Sequence, residues 1–146
     1  MTKIKSLLGL FVFLSFCLMA FNTAKAVEAP SVSASANKKT YSAGESGVLT
    51  LKFKTGAHVK IPKDPEIEIT ITEGADGTGL QDYSGNGAGD DYLKTPTVKY
   101  NFTVPSGAAS GSTVTIKGTV KFGYCNSDDG VCKLSTKNFT AKIKVK

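Results

Sequence analysis

The chain of 146 residues has no tryptophan, no arginine and one histidine, His58. Each shortage excludes something. An antibody-type core, in which a tryptophan packs on a disulfide joining two sheets, cannot be built here. A nucleic-acid footprint needs clustered Lys/Arg, whereas the basic residues are all lysines scattered along polar strand positions. No nucleic-acid partner is expected. No Ser-His-Asp set, catalytic carboxylate pair or phosphate loop is evident. Beyond Phe21 no apolar run could cross a membrane, so stable membrane insertion is not expected. No stretch after residue 26 has a convincing helical period.

The first 26 residues read as a cleaved secretory signal peptide. Lys3 and Lys5 precede an apolar run, Leu7–Phe21, and Ala24-Lys25-Ala26 makes a small-x-small cleavage site. The run is shorter than the roughly 20 residues of a spanning helix. Phe16 before Cys17 disfavours a lipoprotein site. Val27 is the expected start of one mature domain, 27–146, long enough for a real core. Removing the signal takes three lysines and no acid from a net charge of +6, leaving +3. The expected location is periplasmic, with secretion as the other outcome of export.

What the rest of the chain has in quantity is alternation. Leu49, Leu51 and Phe53 share one parity, as do Ile67, Ile69 and Ile71, and Val98, Tyr100, Phe102 and Val104. Val114, Ile116, Val120, Phe122 and Tyr124 form a longer series, and Phe139, Ala141, Ile143 and Val145 close it. Period two puts one face of each strand into a core and the other into water. Turn-forming clusters at 42–47, 73–77 and 105–111 separate the runs. This pattern predicts an all-β, immunoglobulin-like antiparallel β-sandwich. Residues before about Asn37 read as a short tail leading into an edge strand. Gly79–Lys94, rich in Gly and Asp, is an unusually long loop of the kind that is functional or disordered.

Cys17 leaves with the signal, so the domain keeps Cys125 and Cys132, at the two ends of a polar loop, Asn126–Val131. An even pair in an oxidising compartment can close as a disulfide. Three uses compete. A structural staple is one, although so short a ring removes only about 2 kcal/mol of unfolded-state entropy. A dithiol/disulfide centre exchanging with a partner is the second. Zinc is the third, but two cysteines supply half a site and His58 is the sole histidine. Asp128 and Asp129 would raise a nearby thiol pKa.

The segment KFGYCNSDDGVCKLSTKNFTAKIKV resembles the end of the N-terminal domain of the thiol:disulfide interchange protein DsbD: an aromatic-rich strand, a cysteine, a polar loop, Gly-x-Cys and a final alternating strand. LTLKFKTGAHVKIPKDPEIEITIT resembles the family's earlier strand, turn and strand. The resemblance implies an immunoglobulin-like redox domain without a cofactor. Cys125 and Cys132 would be the redox pair. Tyr83 would be the ring of a cap loop over them, with Asp82 its acidic neighbour. His58 and Tyr124 would be modulating neighbours. Electrons would pass between thioredoxin-fold periplasmic proteins and a membrane thiol reductase, both acting in trans. The sequence departs from the family in a longer loop between the cysteines and in Leu134-Ser135 after the second one, where a proline is common.

The alternative from another class is a non-enzymatic immunoglobulin-like binding module with a structural disulfide. Weaker signals remain. Asp82, Ser84, Asn86 and Asp90 match the first half of a calcium loop, but Leu93 stands where its glutamate belongs. His58 reads as a proton shuttle or, more simply, as a partly exposed residue at a strand start. Asn101-Phe102-Thr103 and Asn138-Phe139-Thr140 fit a glycosylation sequon but fall in expected strands.

Overall fold

The alternating runs become strands with their apolar parity inward. A computed structural model describes residues 27–87 and 91–146. The expected signal peptide, with Cys17, and Asp90 of the calcium-like run lie outside the described residues. Among the described residues nine strands follow one another: β1 (Ser31–Ala36), β2 (Thr40–Tyr41), β3 (Ser46–Lys54), β4 (Val59–Lys60), β5 (Glu68–Glu73), β6 (Asp76–Leu80), β7 (Thr97–Thr103), β8 (Thr113–Asn126) and β9 (Cys132–Val145). No helix among the described residues is long and apolar enough to cross a membrane.

One sheet has the order β1-β3-β7-β6; the other runs β2-β9-β8-β4, with β5 also paired to β8. This is the immunoglobulin strand order, ABED facing CFG, with the third strand split into β4 and β5. The chain is thus an all-β immunoglobulin-like sandwich, as the alternation predicted. Two details differ from the expectation. β2 pairs with β9 in parallel, through Thr40↔Lys144 and Tyr41↔Val145, although every other strand pairing is antiparallel. The expected tail is itself the edge strand β1, in register with β3 from Ser31↔Lys54 to Ala36↔Leu49. Its Ser/Ala sequence has little strand propensity, and the ladder to β3 supplies what propensity does not.

Leu49, Leu51, Phe53, Val98, Phe102, Ile116, Val120, Phe122, Phe139 and Ile143 are all buried between the sheets. Phe53 and Phe122 meet edge to face, ring centroids 4.8 Å apart. They join β3 to β8, the two strands that an antibody domain links by its intersheet disulfide. An aromatic pair therefore occupies the place of that bridge. Tyr41 and Phe102 make a second such contact at 5.4 Å. The cysteines are consequently not needed to hold the sheets together, and they lie elsewhere.

Candidate functional site

β8 and β9 form one long hairpin, paired from Thr113↔Lys144 to Cys125↔Cys132. The last pair faces directly across the ladder, and a disulfide closes it, with Cα atoms 4.0 Å apart. Both sulfurs are committed to each other in this bond. The alternation of β8 decides where the bond points. Phe122 and Tyr124 face the core, so Gly123 and Cys125 face the outer side of the sheet.

That outer side is covered at one point. The segment Pro62-Lys63-Asp64-Pro65, with a cis Asp64–Pro65 bond, follows β4 and lies over β8. A Cβ on Gly123 would stand 3.0 Å from Pro62 Cγ and 3.6 Å from Pro65 Cδ, so glycine lets the prolines approach the strand. β4 runs beside the cysteine, with Lys60 opposite Cys125. Cys125 is accordingly only 4% exposed, while Cys132, on the far strand, is exposed. The bond has one covered end and one open end.

Between the prolines and β9 lies an open groove of about 600 Å³, lined by Pro62, Pro65, Tyr92, both cysteines and Leu134 among others. Leu134 is 61% exposed. Tyr92 reaches the groove because its backbone bridges to Pro62. The Lys60 ammonium sits 5.3 Å from the Tyr92 ring centroid.

The polar loop between the cysteines is built by its own side chains. Asn126 Oδ1 accepts from Asp128 N at 3.2 Å, and Asp129 Oδ1 accepts from Val131 N at 2.9 Å. Such Asx contacts are what these residues do in turns. Gly130 takes φ +70°. The loop is also tied to the turn before β4: Ser127 donates to His58 O from both N (2.8 Å) and Oγ (2.9 Å), and His58 Nδ1 lies 3.1 Å from Asp128 Oδ1. His58 itself has φ +63°. It is the exposed strand-start residue of the simpler sequence reading, and it holds the loop.

Tyr83 is not the ring over the cysteines. Its hydroxyl accepts a hydrogen bond from Ile67 N at 3.0 Å, and it lines a different hollow with Glu66, Leu80 and Asp82. Burial pushes its phenol pKa up. The Asp82 carboxylate accepts from Ser84 N (2.7 Å) and Ser84 Oγ (3.0 Å), which lowers its pKa. Its oxygens thus serve a local turn. Lys63 Nζ binds the carbonyls of Ser84 and Gly87 at 2.9 and 3.1 Å, tying the long loop to the proline segment. Tyr124 packs in the core, 6.5 Å from the Phe122 ring centroid, beneath the cysteines rather than beside them.

The site therefore unites Cys125, Cys132 and, through the loop, His58; it leaves out Asp82 and Tyr83. Sequence reasoning missed Pro62, Pro65, Tyr92, Gly123 and Leu134. Only Gly123, a glycine on the outward parity of a strand beside a cysteine, gave a local hint.

No protein-family model matches the chain, and no curated protein matches it. Among solved structures, the chain is similar to AggA, the major subunit of aggregative adherence fimbriae type I from Escherichia coli. That match has 11% identity and a TM-score of 0.31, over 82% of this chain and 98% of that one. The fold assignment rests on the strand order above.

Proposed function

We propose that the domain is a thiol–disulfide exchange module of the periplasm, working through Cys125 and Cys132. The observation that carries this reading is the asymmetry of the bond: a covered Cys125 and an open Cys132 at the edge of an apolar groove. Exchange requires a thiolate to reach one sulfur with a leaving sulfur behind it. A partner thiolate attacks Cys132 Sγ, an intermolecular S–S bond forms, and the Cys125–Cys132 bond breaks. Cys125 leaves as a thiolate and takes a proton from water. The partner's second thiol, once deprotonated, attacks its own sulfur in the mixed disulfide and releases Cys132, which is protonated in turn. Two electrons have then passed from the partner to the pair. The reverse sequence passes them on. Thioredoxin-fold proteins, supplied by a membrane thiol reductase in trans, are the proposed partners.

The test is a pair of single variants. Cys125→Ser should accumulate a mixed disulfide with an exported thioredoxin-fold protein through Cys132, while Cys132→Ser should trap far less. The proposal is overturned if neither variant traps a partner and the pair's reduction potential lies below about −300 mV, the range of structural disulfides.

A second reading draws on one observation. The disulfide lies at the F–G end of the sandwich, where variable domains carry binding loops, and the turn before β4 joins it there. A binding module would keep its partner affinity after reduction, whereas an exchange module would not keep the same activity.

A further inference from the structure

Val131, 48% exposed, and Leu134, 61% exposed, are the large hydrophobic residues exposed among the described residues, and both stand within two positions of Cys132. Isolated exposed apolar residues are ordinary, but these flank the open sulfur, and Leu134 faces Pro62 and Pro65 across the groove. Leu134 pairs with Gly123 in the ladder. It therefore stands on the outer face beside Gly123, which has no side chain. This leaves a slot with an aliphatic wall, a proline wall and a flat glycine floor, ending at the disulfide.

From this, and resting on the exchange reading above, we infer that Leu134 is a specificity-determining residue: the slot takes the segment flanking the attacking cysteine of a partner protein and favours an apolar side chain beside that cysteine. The occupant is fixed by the chemistry of the slot's end. Only a chain bearing a thiol gains from lying along it, because the sulfur it must reach is Cys132. An apolar neighbour buries itself between Leu134 and the prolines and orients the thiolate; Asp64, Asp91 and Lys133 also line the groove, but a serine placed between Leu134 and the prolines would bury less apolar surface. Lys63, the nearest cation on the proline wall, already donates to Ser84 and Gly87.

The experiment uses the oxidised protein and two short dithiol peptides identical except for the residue before the first cysteine, leucine in one and serine in the other. Dithiothreitol serves as a reductant with no side chain to dock. The leucine peptide should reduce the protein about tenfold faster than the serine peptide, the scale of partly burying one aliphatic side chain. Leu134→Ser should erase that difference, slowing the leucine peptide far more than dithiothreitol, and Leu134→Met should restore it. Leu134 is exposed, so these variants leave the core intact. Equal rates for the two peptides with the native protein would overturn the inference and leave the exchange reading standing. So would a Leu134→Ser variant slowed equally towards dithiothreitol. A disulfide that resists all three reductants would overturn the exchange reading, and this inference with it.

Discussion

Reducing the Cys125–Cys132 bond should cost the fold little, and the size of that cost discriminates between a staple and an exchange centre. The bond spans seven positions in sequence. On the chain-entropy model a ring of that size stabilises the folded state by about 2 kcal/mol. Nothing else about the sandwich depends on it. The sheets are joined by Phe53 on Phe122 and Tyr41 on Phe102, and the hairpin is laddered from Thr113 to Cys125 without help from the sulfurs. The reduced protein should therefore unfold cooperatively in urea, with a midpoint about 1 M lower for a slope of about 2 kcal/mol per M.

The same number bears on redox behaviour through a thermodynamic cycle. What the disulfide adds to the fold, the fold adds to the disulfide. Since about 30 mV corresponds to 1.4 kcal/mol for two electrons, folding should make the pair only about 40 mV more reducing than in the unfolded chain. A small coupling is what an exchange module needs, because it must stay folded in both oxidation states. The measurements are urea unfolding with and without reductant, and the pair's potential in native and urea-unfolded protein against a glutathione buffer. A loss above about 5 kcal/mol on reduction, or a reduced state without a cooperative transition, would refute this reasoning and return the bond to the role of a staple.

Three further changes probe the fold away from the sulfurs. Gly118→Ala should destabilise by about 3 kcal/mol in urea unfolding, since overpacking a closed core is costly; the new Cβ would meet Thr70 O at 2.3 Å and Phe139 Cζ at 2.5 Å. A loss under 1 kcal/mol would mean that β5 can move off β8, at odds with its ladder. In acid, Glu45 should add to the loss of stability. Its pKa is lowered by the hydrogen bond from Lys38 and then by that from Ser42 N. The stability it contributes is therefore present above its ordinary value of 4.5 and is lost as pH falls through the lowered one. Glu45→Gln should flatten that part of the acid limb. Tyr83 acts at the other end: burial raises its pKa, so its contribution is present below its ordinary value of 10.0 and is lost as pH rises past the raised one. Tyr83→Phe should remove that alkaline loss, and an unchanged limb would refute the assignment.

The core was legible in the sequence because its signal is local. Each of Leu49, Leu51, Phe53, Phe139 and Ile143 was placed by its parity alone, and each is buried. What was not legible depends on pairings between distant residues. β1 has one β-branched residue, Val32, among serines and alanines, and the ladder to β3 makes it a strand. Asp76–Leu80 contains two glycines, and Asp76 and Gly77 read as part of a turn, yet the segment pairs with β7 around a bulge. At the site, the cysteine pairing followed from spacing and compartment. Tyr83 did not follow, because sequence cannot say whether a loop folds over one face of a sheet or another. Pro62 on Gly123 and Tyr92 beside Pro62 join residues far apart in the chain. No periodicity announces such contacts.

The acidic loop between the cysteines also takes its meaning from these contacts. Two aspartates beside a thiol pair look unfavourable for a nucleophile if their charges face the sulfur. In the folded chain Asp129 is turned back onto Val131 N, and Asp128 lies against His58. Beyond the disulfide, Asn126 N donates to Val131 O at 3.0 Å, and Ser127 is held on the His58 carbonyl. The ring closed by the sulfurs is thus bonded from inside and from outside by groups that do not change with oxidation state. Opening the S–S bond frees two thiols without freeing the loop. An exchange centre of the kind proposed would need such an arrangement, with Cys132 changing partners while Cys125 stays in place to take it back.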